Sequence, residues 1–344
     1  MKKNSLVITT IAGTNSTLML ETFEQASKNN CDTIVIADKK TGNLATEKIR
    51  FITVEEQKNS QYSMAAILPW NSYSRKNLGY LEALKNNSPW IIETDDDNLP
   101  SSEFFHLDIS DEFQARTIRK SAWVNIYKYF GNNIVWPRGF PLSKVLNNID
   151  SAPENIELVV MNLAEVGVFQ VIADKDPDVD AIFRLTQKLP QSFLPSPPVV
   201  LFDGAVCPFN SQATWWSSKY GILMYFPSTV SWRSADIWRS YISTRILQAN
   251  GIGIAFSKPL VTQIRNIHDL MQDFLEEVDC YLNAEKVWDV LSSIDDYKLK
   301  IDLASALLCA YQNLIDVGII PEAELLILTA WIKDVETITT QREK

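Results

Sequence analysis

Two histidines, His106 and His268, are all that the 344-residue chain contains. Neither can join a histidine cluster, and without a G-x-S-x-G elbow the sequence argues against serine-hydrolase chemistry. Its four cysteines, Cys31, Cys207, Cys280 and Cys309, are widely scattered with no C-x-x-C spacing. That pattern argues against a zinc site and a disulfide framework, and it fits a reducing compartment. Basic residues are outnumbered, 32 Lys and Arg against 42 Asp and Glu, for a net charge of −10. General affinity for nucleic acid or anionic lipid is therefore not expected, and an anionic ligand would need a metal or a few placed cations. No run approaches the roughly 18 apolar residues of a membrane span, so a cytoplasmic protein is expected, with at most peripheral attachment at the inner face of a membrane. The opening "MKKNSLVITTIAG" superficially resembles a signal peptide, but Thr9 and Thr10 interrupt its short apolar stretch and it reads as a first strand. There is also no G-x-x-x-x-G-K-[ST] loop and no G-x-G-x-x-G after that strand, which argues against a P-loop ATPase or a dinucleotide dehydrogenase. Metal-assisted chemistry on a phosphorylated ligand is what remains.

The 46% apolar content is ample for a large core. "SLVITTIAG", "STLMLETFEQASKNN" and "CDTIVIADKKTG" read as strand, amphipathic helix and strand, the opening of a parallel α/β sheet. "IRFITV", the helix "RKNLGYLEALKNN" and "PWIIET" repeat the theme. Thr10 to Gly13, Asp38 to Lys40 and Asp95 to Asp97 should therefore gather at the carboxyl edge of the sheet, where open α/β sheets bind ligands. From about residue 283 helical periodicity dominates, as in "KLKIDLASALLCAYQNLIDVG".

Four constellations could carry chemistry. "ETDDDNLP" places Asp95, Asp96 and Asp97 after a buried-looking strand; it is either an acidic turn or a place for a Mg²⁺ or Mn²⁺ ion with Asp95 and Asp97 facing it. "DKDPDVD" invites an EF-hand reading that fails at Val179, where glycine is needed, and at Leu185, where glutamate is needed; it is expected to be a solvated turn that can still carry one functional Asp. Arg75 and Lys76 stand at a helix start, opposing the helix dipole unless an anion such as a diphosphate sits there. In "WRSADIWRSYISTRIL" the spacing allows an ion-paired helix through Arg233, Asp236 and Arg239, or Asp236 as a general base.

"RKNLGYLEALKNNSPWIIETDDDN", "WPRGFPLS", "DPDVDAIFRLT" and "RSADIWRSYISTRIL", in this order, resemble STELLO-type glycosyltransferase-like proteins over most of residues 60 to 270. The Asp triplet and "PRGFP" are also similar to the reversibly glycosylated polypeptides, which include UDP-arabinopyranose mutases. The resemblance implies a GT-A fold: a Rossmann-like, mostly parallel central sheet flanked by helices, here with a C-terminal helical appendage. Residues 1–282 would form that domain, with 1–100 the nucleotide half and 101–282 the acceptor half, and 283–344 the appendage. It also implies a nucleoside diphosphate sugar, for instance a UDP-sugar, as donor and Mn²⁺ or Mg²⁺ as cofactor. Carried over by residue, Asp95 and Asp97 would be the Asp-x-Asp pair, Asp97 the direct metal ligand, and His268 the residue completing the site. Thr10, Ala12 and Asp38 would lie near the nucleoside, Asp96 near the ribose or sugar, and Arg75 near the phosphates or the sugar. For an inverting reaction the acceptor's base would be Asp236, with Asp203 the second choice. The expected acceptor is a glycan or a lipid-linked intermediate of polysaccharide biosynthesis. Two other readings stay open, a nucleotide-sugar mutase using Arg138 and a catalytically degenerate scaffold. The C-terminal "AELLILTAWI" would suit a homodimer as well as cover the domain.

Overall fold

The apolar runs at the start of the chain form strands covered on both faces, as continuous Val, Ile and Leu stretches do in parallel sheets. The computed structural model describes residues 2–10, 16–42, 48–106, 111–149, 156–265 and 269–342. Strands β1 (Ser5–Thr10) and β2 (Asp32–Ala37) are buried along nearly their whole length. Between them α1 (Thr17–Lys28) turns Met19, Phe23 and Ala26 inward, spaced as one face of a helix, and Ser16 caps it by accepting from the Met19 N–H. β3 (Ile49–Ile52) follows, then α2 (Val54–Lys58), α3 (Lys76–Lys85) and β4 (Trp90–Thr94). These strands lie in the order β3-β2-β1-β4, all parallel. Helix α3 lies against the sheet at Gly79, where a Cβ would come within 2.5 Å of Val7; the close approach requires glycine there.

The second half supplies β5 (Asn98–Pro100), β6 (Glu112–Arg119), β7 (Ala122–Trp123), β8 (Leu158–Asn162), β9 (Val166–Asp174), β10 (Val199–Phe202), β11 (Ala205–Val206), β12 (Ala213–Ser217) and β13 (Gly253–Gln263). Among the described residues the sheet continues from β4 as β12-β9-β13-β10-β6-β8, with β5 paired to β13 and a separate β7-β11 pair. β12 is antiparallel to both β4 and β9, whereas β9 and β13 are parallel, as are β10 and β6. Antiparallel pairings are thus confined to the second half and its seam. This is the expected α/β sheet with helices on its faces.

The remaining helices are α4 (Leu142–Ile149), α5 (Ala181–Thr186), α6 (Trp232–Ala249), α7 (Leu270–Glu276), α8 (Val278–Ser292), α9 (Asp296–Leu299), α10 (Leu303–Asp316) and α11 (Glu324–Arg342). The boundary expected after residue 282 falls inside α8. Nor is the C-terminal segment separately packed: one continuous apolar core joins Val7, Leu81 and Trp238 to Trp288, Leu307 and Trp331. Among the described residues no helix is long and apolar enough to cross a membrane.

Candidate functional site

At the end of β4, Glu93 points into the core and the next residues turn out into a cleft. Glu93 is fully buried and ion-paired to Arg239 at 2.7 Å, with Trp216 Nε1 donating to the same oxygen at 2.9 Å and Tyr80 to the other. This network fixes the strand two residues before Asp95. Asp96 Oδ2 then accepts from the Thr10 hydroxyl at 2.5 Å. At the end of β2, Asp38 accepts from the backbone N–H groups of Lys39 (2.6 Å) and Ser72 (3.1 Å), and the Thr41 hydroxyl donates to the Thr10 carbonyl. The ends of β1, β2 and β4 therefore meet at one edge, as expected for Thr10, Asp38 and the Asp triplet. Ala12 and His268 lie outside the described residues.

The cleft is lined by Asp95 and Asp97 on one side and by Arg138, Asp178, Arg233 and Asp236 on the other. Asp95 accepts from Lys76 Nζ at 3.2 Å; Lys76 is wholly buried and also reaches the Ser211 carbonyl at 3.3 Å. Burial pushes the Asp95 carboxyl up to about 7, Lys76 opposing and Asp97 and Asp96 adding to the rise. Even so, 23% of its side-chain surface stays open to the cleft. Burial raises Asp97 as well, offset in part by the hydrogen bond it accepts from Gln263 Nε2 at 3.0 Å. Its other oxygen, Oδ1, is buried with no hydrogen-bond partner among the described residues, and so is Gln263 Oε1. Acceptors left unpaired in this way are costly, and both are hard oxygens of the kind Mg²⁺ and Mn²⁺ take. No three His, Cys, Asp or Glu side chains converge on a metal position among the described residues; the two unpartnered oxygens would fit an ion that a ligand's own oxygens help to hold.

The opposite wall is built around Arg138. Its Nε and Nη2 donate to the two oxygens of Asp178, both at 2.9 Å; Nη1 and Nη2 donate to the two oxygens of Asp236, at 3.0 and 2.8 Å, and Nη1 also donates to the Arg233 carbonyl. A guanidinium has five N–H donors, and all are taken. Burial works against charge on Asp178, yet the neighbouring guanidinium wins and holds it below the usual carboxylate range. Asp236 also accepts from the Ser211 N–H at 3.2 Å. Ser211 thereby ties the two walls together, through Lys76 and Asp95 on one side and Asp236 on the other.

Several expectations change against this geometry. Arg75 does not face the carboxylates: it ends a short 3₁₀ turn ahead of α3, stacks on Trp70 at 3.4 Å, and donates to Gln57 and to the Leu68 and Ala65 carbonyls. Burial lowers it to about 10; the adjacent Lys76 is the cation that reaches the triplet. Asp203 is exposed in a turn, with positive φ at both Asp203 (51°) and Gly204 (85°), beside Arg119 at 3.7 Å and away from the cleft. The ion-paired helix through Arg233, Asp236 and Arg239 does not form either. Arg233 pairs with the buried Glu277, Arg239 with Glu93, and Asp236 with Arg138. Of the acidic run "DKDPDVD", Asp178 is the member that reaches the cleft, while Asp180 caps α5.

Residues that sequence reasoning passed over also line the cleft. Tyr73 and Trp232 stack at 5.7 Å, nearly parallel, and remain 40% and 39% exposed. Gln263 and Arg265 follow from β13, and Arg265 is bound to Asp273 at 2.8 Å. Trp232 lay in a motif already singled out; Gln263 carried no signal, because its role comes from β13 crossing beside β5.

The sequence is similar to known glycosyltransferase-like chains. A family described as "STELLO glycosyltransferases" matches residues 233–343. "Probable glycosyltransferase STELLO1" of Arabidopsis thaliana is 26% identical over 86% of this chain and 39% of its own length. "Probable glycosyltransferase STELLO2" of the same plant is 25% identical over 86% of this chain and 40% of its own. The chain thus spans about two fifths of the relatives it matches. Among solved structures, glucosyl-3-phosphoglycerate synthase of Mycobacterium tuberculosis aligns with 82% of this chain and 80% of its own at 9% identity, with a TM-score of 0.40. A complex of that enzyme with Mn²⁺, uridine-diphosphate-glucose and glycerol 3-phosphate aligns equally, at 10% identity.

Proposed function

Taking the chain as a relative of the STELLO glycosyltransferases, we propose that it transfers a sugar from a nucleoside diphosphate donor, with UDP-sugars the first to test, to a glycan or lipid-linked acceptor. The observation that carries this reading is the Asp triplet at the carboxyl end of β4, with an unpartnered Asp97 oxygen at the cleft. Asp97, with Asp95 beside it, would hold Mn²⁺ or Mg²⁺. When bound, such an ion supplies Lewis-acid stabilisation of the charge that develops on the leaving diphosphate. Thr10 and Asp38, at the neighbouring strand ends, would lie near the nucleoside, and Asp96 accepts from Thr10. Arg233 and Arg265 also line the cleft, each already paired with a buried carboxylate, Glu277 and Asp273.

Asp236 and Asp178 are the carboxylates available to an acceptor hydroxyl, but each is already held by Arg138. The guanidinium holds Asp178 in its ionised form and so weakens it as a base. In this reading they shape the acceptor side, and Asp236 would reach an acceptor hydroxyl only when its bonds to Arg138 and Ser211 loosen. The mutase alternative asks Arg138 to become glycosylated, whereas its nitrogens are buried and fully engaged; transfer is the better-supported chemistry. Calorimetry with UDP, with and without Mn²⁺, tests the proposal directly. Mn²⁺-dependent UDP binding that is lost in Asp97→Ala is expected. Absence of UDP binding with the metal present, or binding unchanged in Asp97→Ala, overturns it.

A further inference from the structure

We propose that Gln263 is a ligand of the divalent cation, its side-chain oxygen acting beside the Asp97 carboxylate; the inference rests on the glycosyl-transfer reading of the cleft. Gln263 ends β13 and stands opposite Asn98 in the β13–β5 pair, one residue from Asp97. The backbone is fixed there, since the Ile264 N–H donates to the Asp97 carbonyl at 2.9 Å.

The orientation of the Gln263 amide follows from its neighbour. A carboxylate oxygen only accepts, so the group within 3.0 Å of Asp97 Oδ2 must be the amide nitrogen. Its oxygen is thereby turned away from Asp97's bonded atom. That oxygen is buried and unpartnered among the described residues, as is Asp97 Oδ1. Two acceptors without donors, on hydrogen-bonded neighbours in one cleft, call for a shared positive partner. Among the described residues no protein cation hydrogen-bonds either oxygen: the charge of Arg265 draws Asp97 down, but its bond goes to Asp273, and Lys76 is bound to Asp95 and the Ser211 carbonyl. An amide oxygen beside a carboxylate oxygen suits a hard divalent ion. The Nε2 hydrogen bond adds a second part, since it fixes which Asp97 oxygen is free to bind.

The test is Mn²⁺ binding to the full chain, followed by the electron paramagnetic resonance signal of free Mn²⁺ with and without UDP, in the unaltered protein, Asp97→Ala, Gln263→Ala and Gln263→Glu. Gln263→Ala should weaken Mn²⁺ binding by about tenfold or more, in the range that metal-site partners typically contribute. Gln263→Glu should tighten it. Should the alanine variant fail to fold, Gln263→Glu alone decides: a larger Mn²⁺-induced rise in melting temperature than in the unaltered protein is expected. Gln263→Ala binding Mn²⁺ within twofold of the unaltered protein, while Asp97→Ala loses it, overturns this inference and leaves the metal site standing. Undiminished binding in Asp97→Ala overturns the metal site and this inference with it.

Discussion

Arg239 and Glu93 form a buried ion pair, 1% and 0% exposed at the side chain, two residues ahead of the carboxylates that define the cleft. Arg239 is also packed against the rings of Trp216 and Phe226, at 5.2 and 5.3 Å. Removing one partner of such a pair strands the other charge in the core. Arg239→Met should therefore destabilise the chain by about 3–5 kcal/mol, read as a fall in the denaturant midpoint. Adding Glu93→Gln to it should recover part of the loss, because the stranded charge is gone. Equal stability of Arg239→Met and the unaltered protein would show that the pair is not what holds β4.

Arg138 allows a sharper test, because bracing and glycosylation predict opposite results. As a brace its loss leaves Asp178 and Asp236 facing each other, buried and uncompensated. Arg138→Ala should cost about 3–5 kcal/mol. Arg138→Lys should restore little, since an ammonium cannot span two carboxylates as the planar fork does. Intact-mass measurement after incubation with UDP-sugars should show no sugar on the protein. A stable adduct, lost in Arg138→Lys, would restore the mutase reading.

A pH dependence follows from Asp180. Burial pushes its carboxyl up to about 6 from 3.8, although it accepts hydrogen bonds from the Phe183 N–H and from Trp136, and Glu277 and Asp178 add to the rise. Between those two values the folded chain binds the proton more readily than the unfolded chain. Stability therefore falls as pH rises through that window, and the cost is complete above about 6. The shift corresponds to about 3 kcal/mol at most, as an order of magnitude. Measured as the difference from Asp180→Asn, the stability of the unaltered protein should drop between pH 4 and 6 and then level off. A flat difference would mean that the carboxyl ionises in the folded chain as freely as in the unfolded one.

What could be read from the sequence was whatever depends on short-range pattern. β1, β2 and β4 declare themselves by apolar runs, and a strand end followed by three Asp residues locates the cleft without knowledge of the partners. Side-chain direction at the start of a helix was not legible, because one residue of phase decides it: Arg75 turns under Trp70 while Lys76 turns to Asp95. Ion pairing within α6 looked local and proved long-range; every charged partner of Arg233, Asp236 and Arg239 lies at least 40 residues away. Asp203 was misplaced for a local reason that was available. Asp-Gly is a turn signature that tolerates positive φ, and the residue does sit in such a turn.

The C-terminal helices were expected as an appendage, and their contacts give the last prediction. Glu324, fully buried, accepts from Tyr225 and from the N–H groups of Ser228 and Thr229, at 3.0 and 2.7 Å, beside the cleft residue Phe226. Asp334 accepts from the N–H groups of Ser63 and Met64, and Arg245 donates to the Leu291 and Ile294 carbonyls. A chain ended after Leu282 would cut α8 and expose the faces that Trp288, Leu307 and Trp331 cover. It should fail to unfold cooperatively and should bind a hydrophobic dye, where an independent domain would melt sharply. Glu324→Gln is the gentler version: it keeps the shape but weakens three charge-assisted bonds, each ordinarily worth about 1.5–3 kcal/mol before the neutral amide's replacement bonds are counted. It should lower the melting temperature and, because Ser228 and Thr229 lead into α6, weaken Mn²⁺-dependent UDP binding as well. A lowered melting temperature with unchanged UDP binding would separate the helices' stabilising part from any influence on the cleft.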